Sequence, residues 1–192
     1  FKANNVTTSG SWATGNNMNQ VRSGNAASIN GTQTATITFG GNIPPVTGAT
    51  ESYNGTSWTE LNDLNNARRN YGGAGTQTAA LGYAGTPAPL SAKTESWNGT
   101  NWTEVNTLNQ GRRDLAGSGT NTSALGFGGY TPSPNYALTE LWNGTNWTEV
   151  NDLNTARHAL AAAGTDSTSS LAFGGYNGGP ALYANTETWN GT

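Results

Sequence analysis

The feature that most constrains this chain is a fourfold internal repeat. Trp12, Trp58, Trp102 and Trp147 lie 46, 44 and 45 residues apart, and ten positions after each comes an arginine, Arg22, Arg68, Arg112 and Arg157. An Asn stands four residues after each Trp (Asn16, Asn62, Asn106, Asn151), with an apolar residue two further on (Met18, Leu64, Leu108, Leu153). An aromatic then precedes a small-Gly pair, at Phe39-Gly40-Gly41, Tyr83-Ala84-Gly85, Phe127-Gly128-Gly129 and Phe173-Gly174-Gly175. Each unit ends on Glu-x-aromatic: Glu51/Tyr53, Glu95/Trp97, Glu140/Trp142 and Glu187/Trp189. Twelve of the eighteen aromatic residues fall on these three positions, so the largest apolar side chains recur at fixed points of one unit. Such a unit cannot bury its apolar face alone and must stack on its neighbours.

Within a unit the short runs read as strands. Residues 146–150 and 186–189 alternate with period two and carry Thr and Trp, which favour strands. Asn54-Gly55, Asn98-Gly99, Asn143-Gly144 and Asn190-Gly191 predict tight type I′ hairpins, because Asn-Gly tolerates the positive φ angles of that turn. The small-residue stretches, such as Ala159–Gly164, predict a strand near a crowded axis where bulky side chains do not fit. The unit is expected to be a four-stranded antiparallel meander, and four strands in about 45 residues is the signature of a β-propeller blade.

In its order and spacing the unit resembles the kelch repeat. The matching residues are Phe173-Gly174-Gly175-Tyr176, Glu187-Thr188-Trp189, Trp147, and Leu153 to Arg157, and the likeness covers nearly the whole chain. It implies an all-β fold, a four-bladed kelch-like β-propeller forming a single domain over 1–192, with repeats at about 12–57, 58–101, 102–146 and 147–192. The chain opens at the Trp strand and stops just after the Glu-x-Trp strand of the last unit. The N-terminal strand around Trp12 is therefore expected to complete the last blade, close the ring and remove an exposed edge. Arcs that pair between chains are the alternative.

Composition then narrows the function. The chain has 192 residues, 10% of them charged, and a net charge of −3, so it lacks the clustered Lys and Arg that phosphate neutralisation needs. Nucleic acid is not an expected partner. No run approaches the ~20 apolar residues of a membrane-spanning helix, and no membrane insertion is expected. Phe1 is not an initiator residue, so the chain is expected to be a processed or trimmed product, and the absence of a signal sequence leaves the compartment open. With one His, His158, and no Cys, the His/Cys metal sets and the His-Tyr-Cys copper centre of some kelch-fold oxidases cannot form in one chain. No Asp-box-like motif of a sialidase occurs, and no cofactor, metal or catalytic residue is expected.

Arg22, Arg68, Arg112 and Arg157, with Glu51, Glu95, Glu140 and Glu187, read as a structural ion pair repeated once per unit. Trp12, Trp58, Trp102 and Trp147 read as packing anchors between units. Nine Asn-x-Ser/Thr sequons follow mostly from the repeated Asn-Gly-Thr turn in a Thr-rich chain.

Function is expected where the repeats disagree. All seven prolines lie in the connections 42–49, 86–93, 130–138 and 176–185, on the face that also gathers Arg69, Arg113 and His158. Tyr130, Tyr136, Tyr176 and Tyr183 add aromatic surface, whereas His158 alone would be surface variation. Unequal, Tyr-bearing loops on a regular scaffold point to a non-enzymatic interaction module that binds a protein or glycan. A structural appendage or decoration domain of a phage or other virion, assembled as a homo-oligomer, is the second expectation, on resemblance in composition alone. A secreted glycan-processing enzyme is the third. An extracellular or virion-surface setting is expected, with a cytoplasmic one as the alternative.

Overall fold

The computed structural model describes residues 11–87, 89–131, 137–179 and 182–192. They form an all-β fold of four antiparallel sheets, each a meander in chain order. The first contains β1 (Ala26–Ala27), β2 (Thr36–Asn42), β3 (Val46–Tyr53) and β4 (Trp58–Leu61). The second contains β5 (Gly72–Thr76), β6 (Ala79–Tyr83), β7 (Thr94–Trp97) and β8 (Trp102–Val105). In the third lie β9 (Ala116–Gly119), β10 (Ala124–Phe127), β11 (Thr139–Trp142) and β12 (Trp147–Val150). The fourth has three strands, β13 (Ala161–Ala163), β14 (Ser170–Phe173) and β15 (Thr186–Trp189). Register repeats from sheet to sheet: Tyr53 pairs with Trp58, Trp97 with Trp102 and Trp142 with Trp147.

Glycine and alanine fill the innermost strands because these approach one another directly, β1 lying beside β5, β5 beside β9 and β9 beside β13. A Cβ on Gly117 would lie 1.7 Å from Tyr83 Oη, so a side chain from the neighbouring sheet occupies the space that the missing one leaves. The core is divided into layers between consecutive sheets. Ala26, Ile37, Phe39, Tyr71, Trp97 and Trp102 fill the first layer, Leu81, Tyr83, Leu115, Trp142 and Trp147 the second, and Leu125, Phe127, Leu160 and Ala172 the third. Buried phenols tie adjacent sheets: Tyr71 donates to Phe39 O, and Tyr83 to Leu125 O at 3.0 Å. Burial pushes both pKa values up, so both stay protonated donors.

Two expectations need correcting. The Asn-Gly turns are not two-residue type I′ hairpins. Four residues join the paired positions Tyr53 and Trp58, and only the Gly has a positive φ (93° at Gly55). The Asn instead accepts through Oδ1 from the backbone N–H groups two and three residues on, Thr56 and Ser57 at 2.9 Å each, a bond that a short amide side chain makes locally. The second concerns closure. Residues 11–17 form no strand, Trp12 is fully exposed, and the sheets do not close into a ring by strand pairing among the described residues.

The repeated Trp residues therefore differ. Trp102 Nε1 donates to Thr50 Oγ1 (3.0 Å) and its ring lies 4.7 Å from Phe39, both in the sheet before. Trp147 repeats this on Thr94 (2.9 Å) and Tyr83 (4.8 Å). Trp58 belongs to the first sheet, has no earlier sheet to pack on, and rests half-buried on Tyr53.

Candidate functional site

Each repeated Arg meets the Glu of its own sheet. Arg22 pairs with Glu51, Arg68 with Glu95 (2.5 Å), Arg112 with Glu140 (2.6 Å) and Arg157 with Glu187 (3.1 Å), and the four guanidinium groups are buried. The carboxylate also caps the preceding connection: Glu95 accepts from the backbone N–H groups of Asn65 and Asn66 at 2.7 and 3.1 Å. Arg68 donates in turn to Lys93 O at 2.8 Å. A buried charge pair is costly unless its remaining hydrogen bonds are met. At Arg68 the connection meets them, Nε donating to Asn66 O at 3.2 Å, whereas Nε of Arg22, Arg112 and Arg157 has no hydrogen-bond partner among the described residues. Seven of these eight side chains are shut off from solvent, and Glu187 alone is partly exposed, at a cleft between the third and fourth sheets.

On the face of the proline connections, four equivalent backbone bridges carry different side chains. The bridges are Ser23 to Asn42, Arg69 to Thr86, Arg113 to Tyr130 and His158 to Tyr176. In the third and fourth sheets these side chains stack into a ladder. The Arg113 guanidinium lies over the Tyr130 ring at 4.4 Å, Tyr130 meets His158 edge-on at 5.2 Å, and His158 lies 4.0 Å from Tyr176. His158 is buried, contrary to its expected place as surface variation, because Tyr130 from the preceding unit and Tyr176 from its own unit cover it. Desolvation pulls its pKa below the ordinary imidazole value, with Arg113 assisting and Asp114 opposing, so the ring is neutral at pH 7. Tyr176 is the exposed end of the ladder.

The residue after each bridge lines a shallow mouth where the four sheets converge, with Gly24, Asn70, Asp114 and Ala159 as its rim. All four have φ between 51° and 63°. The backbone N–H of Asn70, Asp114 and Ala159 each donates to the carbonyl of the preceding rim residue, Gly24, Asn70 and Asp114. Asn70 Nδ2 donates to Asp114 Oδ1 and Arg113 to Asp114 Oδ2, both at 2.8 Å. Tyr71, Leu115 and Leu160 form the apolar floor, and the opening holds about 230 Å³. A hydrogen-bonding rim over an apolar floor, flanked by a flat aromatic ladder, suits a polar ligand with flat apolar faces.

Arg113, Tyr130, His158 and Tyr176 are thus brought together, while Arg69 lies in the second sheet beside Thr86. Tyr183 is half-buried, its backbone N–H bonded to Gly175 O at 2.9 Å. Tyr136 lies outside the described residues. Asn70 and Asp114 escaped sequence reasoning, although their slot holds Gly, Asn and Asp in three of four repeats, the residues that adopt left-handed backbone most readily. Among the described residues no three His, Asp or Glu side chains cluster to hold a metal. No protein-family model matches this chain. No curated protein proved similar to it.

Proposed function

We propose that the four sheets are the blades of a kelch-like four-bladed propeller, acting as a non-enzymatic interaction module through the axial mouth and its aromatic ladder. The observation that carries this reading is the change of side chain on a constant backbone. Four bridges of one geometry present Ser23, Arg69, Arg113 and His158, and only two of them build the ladder. Packing alone would not require that difference. Of a glycan and a protein partner, the glycan suits the site better: Tyr176 offers an exposed flat ring for a sugar face, while Asn70, Asp114 and Arg113 offer fixed donors and acceptors for hydroxyl groups.

The test is a glycan array with the 192-residue chain, followed by a pull-down for protein partners. A Tyr176→Ala/Arg113→Ala variant with an unchanged circular dichroism spectrum should lose the glycan that the wild type captures. Retained binding by the variant would overturn the site. Capture of a protein with no glycan bound would replace the glycan by a protein partner.

A further inference from the structure

Between the third and fourth sheets lies an open cleft lined by Leu125, Phe127, Thr139, Leu153, Ala172 and Trp189. The two layers before it show what such a place holds. In the first, the Trp102 ring lies 4.7 Å from Phe39 and 5.4 Å from Trp97, and its Nε1 donates to Thr50 Oγ1 at 3.0 Å. In the second, Trp147 lies 4.8 Å from Tyr83 and 5.5 Å from Trp142, and its Nε1 donates to Thr94 Oγ1 at 2.9 Å. The first aromatic and the Thr are cross-strand partners each time, Phe39 with Thr50 and Tyr83 with Thr94, and Phe127 with Thr139 repeats the pair at the cleft. Trp189 takes the place of Trp97 and Trp142. A surface that accepts an indole in two layers is thus laid out a third time. Among the described residues no indole lies on it, for Trp12 stands exposed and Trp189 belongs to the wall.

The lip of the cleft is acidic. Its lining carries two carboxylates, Asp152 and Glu187, and among the described residues no Lys, Arg or His. Asp152 is exposed and accepts the Thr139 N–H on Oδ1 at 3.0 Å, which sets its charge beside that threonine. Glu187 is partly open to solvent, whereas its counterparts Glu95 and Glu140 are shut in. A flat ring therefore complements the walls and a cation the lip.

We propose that this cleft is a binding site for a small indolyl alkylamine. The ring lies against Phe127 and Trp189 and donates its N–H to Thr139 Oγ1, while the ammonium group stays at the lip near Asp152. Apolar walls with a few placed polar groups are the usual make-up of a small-molecule site. The cleft shares no lining residue with the axial mouth, so the proposal depends on neither the glycan nor the propeller reading.

Tryptamine is the probe. Trp189 Nε1 donates to Ser167 O at 2.8 Å, so its indole N–H is a fixed reporter in a nuclear magnetic resonance titration of the 192-residue chain, assigned with Trp189→Phe. Tryptamine should move this signal saturably. 1-Methyltryptamine, which lacks the ring donor, should bind about threefold to tenfold more weakly. N-Acetyltryptophanamide, which keeps the ring without the charge, should also bind more weakly. In Thr139→Val the difference between tryptamine and its 1-methyl analogue should vanish. No saturable shift at Trp189 would overturn the site, as would equal affinities of tryptamine and 1-methyltryptamine for the wild type, a comparison that needs no variant. Equal binding of the uncharged amide would overturn the small cation and give the cleft to a Trp side chain of a protein partner.

Discussion

His158 illustrates how a single position acquires properties that its sequence context does not announce. Its slot holds Ser or Arg in the other repeats, yet packing between Tyr130 and Tyr176 takes the imidazole out of water and lowers its pKa. In the unfolded chain it titrates near 6.5. Below that value the unfolded chain takes up a proton that the folded one refuses, so stability falls as the pH drops from about 6.5 toward the lowered folded pKa. His158→Phe keeps a ring between the tyrosines and removes the titration. Thermal melts between about pH 7.5 and 5 should show a shallower loss of Tm in this variant than in the wild type, and equal slopes would contradict the assignment. The sequence offered the histidine as a solitary surface change because burial depends on Tyr176, whose approach is set by the fold and not by spacing along the chain.

The strands themselves were far more legible than their turns or their sides. Period-two alternation in 146–150 and 186–189 placed β12 and β15, and the small residues placed the inner strands. Asn-Gly misled on turn type because the same dipeptide also serves a four-residue connection in which the Asn side chain, not its backbone, does the bonding. Inner-strand glycine is better understood as absent volume than as flexibility. Gly-to-Ala in a strained-free site commonly stabilises by about 0.4–1 kcal/mol through the unfolded chain. At Gly117 the sign should reverse, because the new methyl group would collide with Tyr83 Oη and approach Leu125 O at 2.9 Å. Overpacking of this kind costs about 1–3 kcal/mol. Urea denaturation of Gly117→Ala should show that loss, and adding Tyr83→Phe, which removes the colliding oxygen, should restore part of it.

At the scale of the molecule, the repeat made the four sheets legible, and the cleft lined by Phe127, Thr139 and Trp189 was hidden because these residues come from two sheets and 63 positions of sequence. The mouth was hidden for the same reason: its rim takes one residue from each repeat. Removing residues 1–15 leaves the anchors Asn16 and Asn19 on the first sheet but takes away the segment that the repeat sets against β15. Light scattering after size exclusion should then show self-association through β15, since an unpaired strand edge beside an apolar cleft invites pairing with another copy. A truncated chain that remains monomeric with an unchanged melting temperature would contradict this.

The Glu that caps the connection into its own sheet has a mechanical consequence. Because Glu51, Glu95, Glu140 and Glu187 each grip the link arriving from upstream, the sheets are fastened in series, every fastening lying about 30 residues from its partner and none spanning the whole chain. Interactions confined to adjacent units make such a molecule behave as a one-dimensional array. Tension applied at its two ends would be met by one clasp at a time, each release paying out a single repeat, about 45 residues or ~150 Å of extended chain.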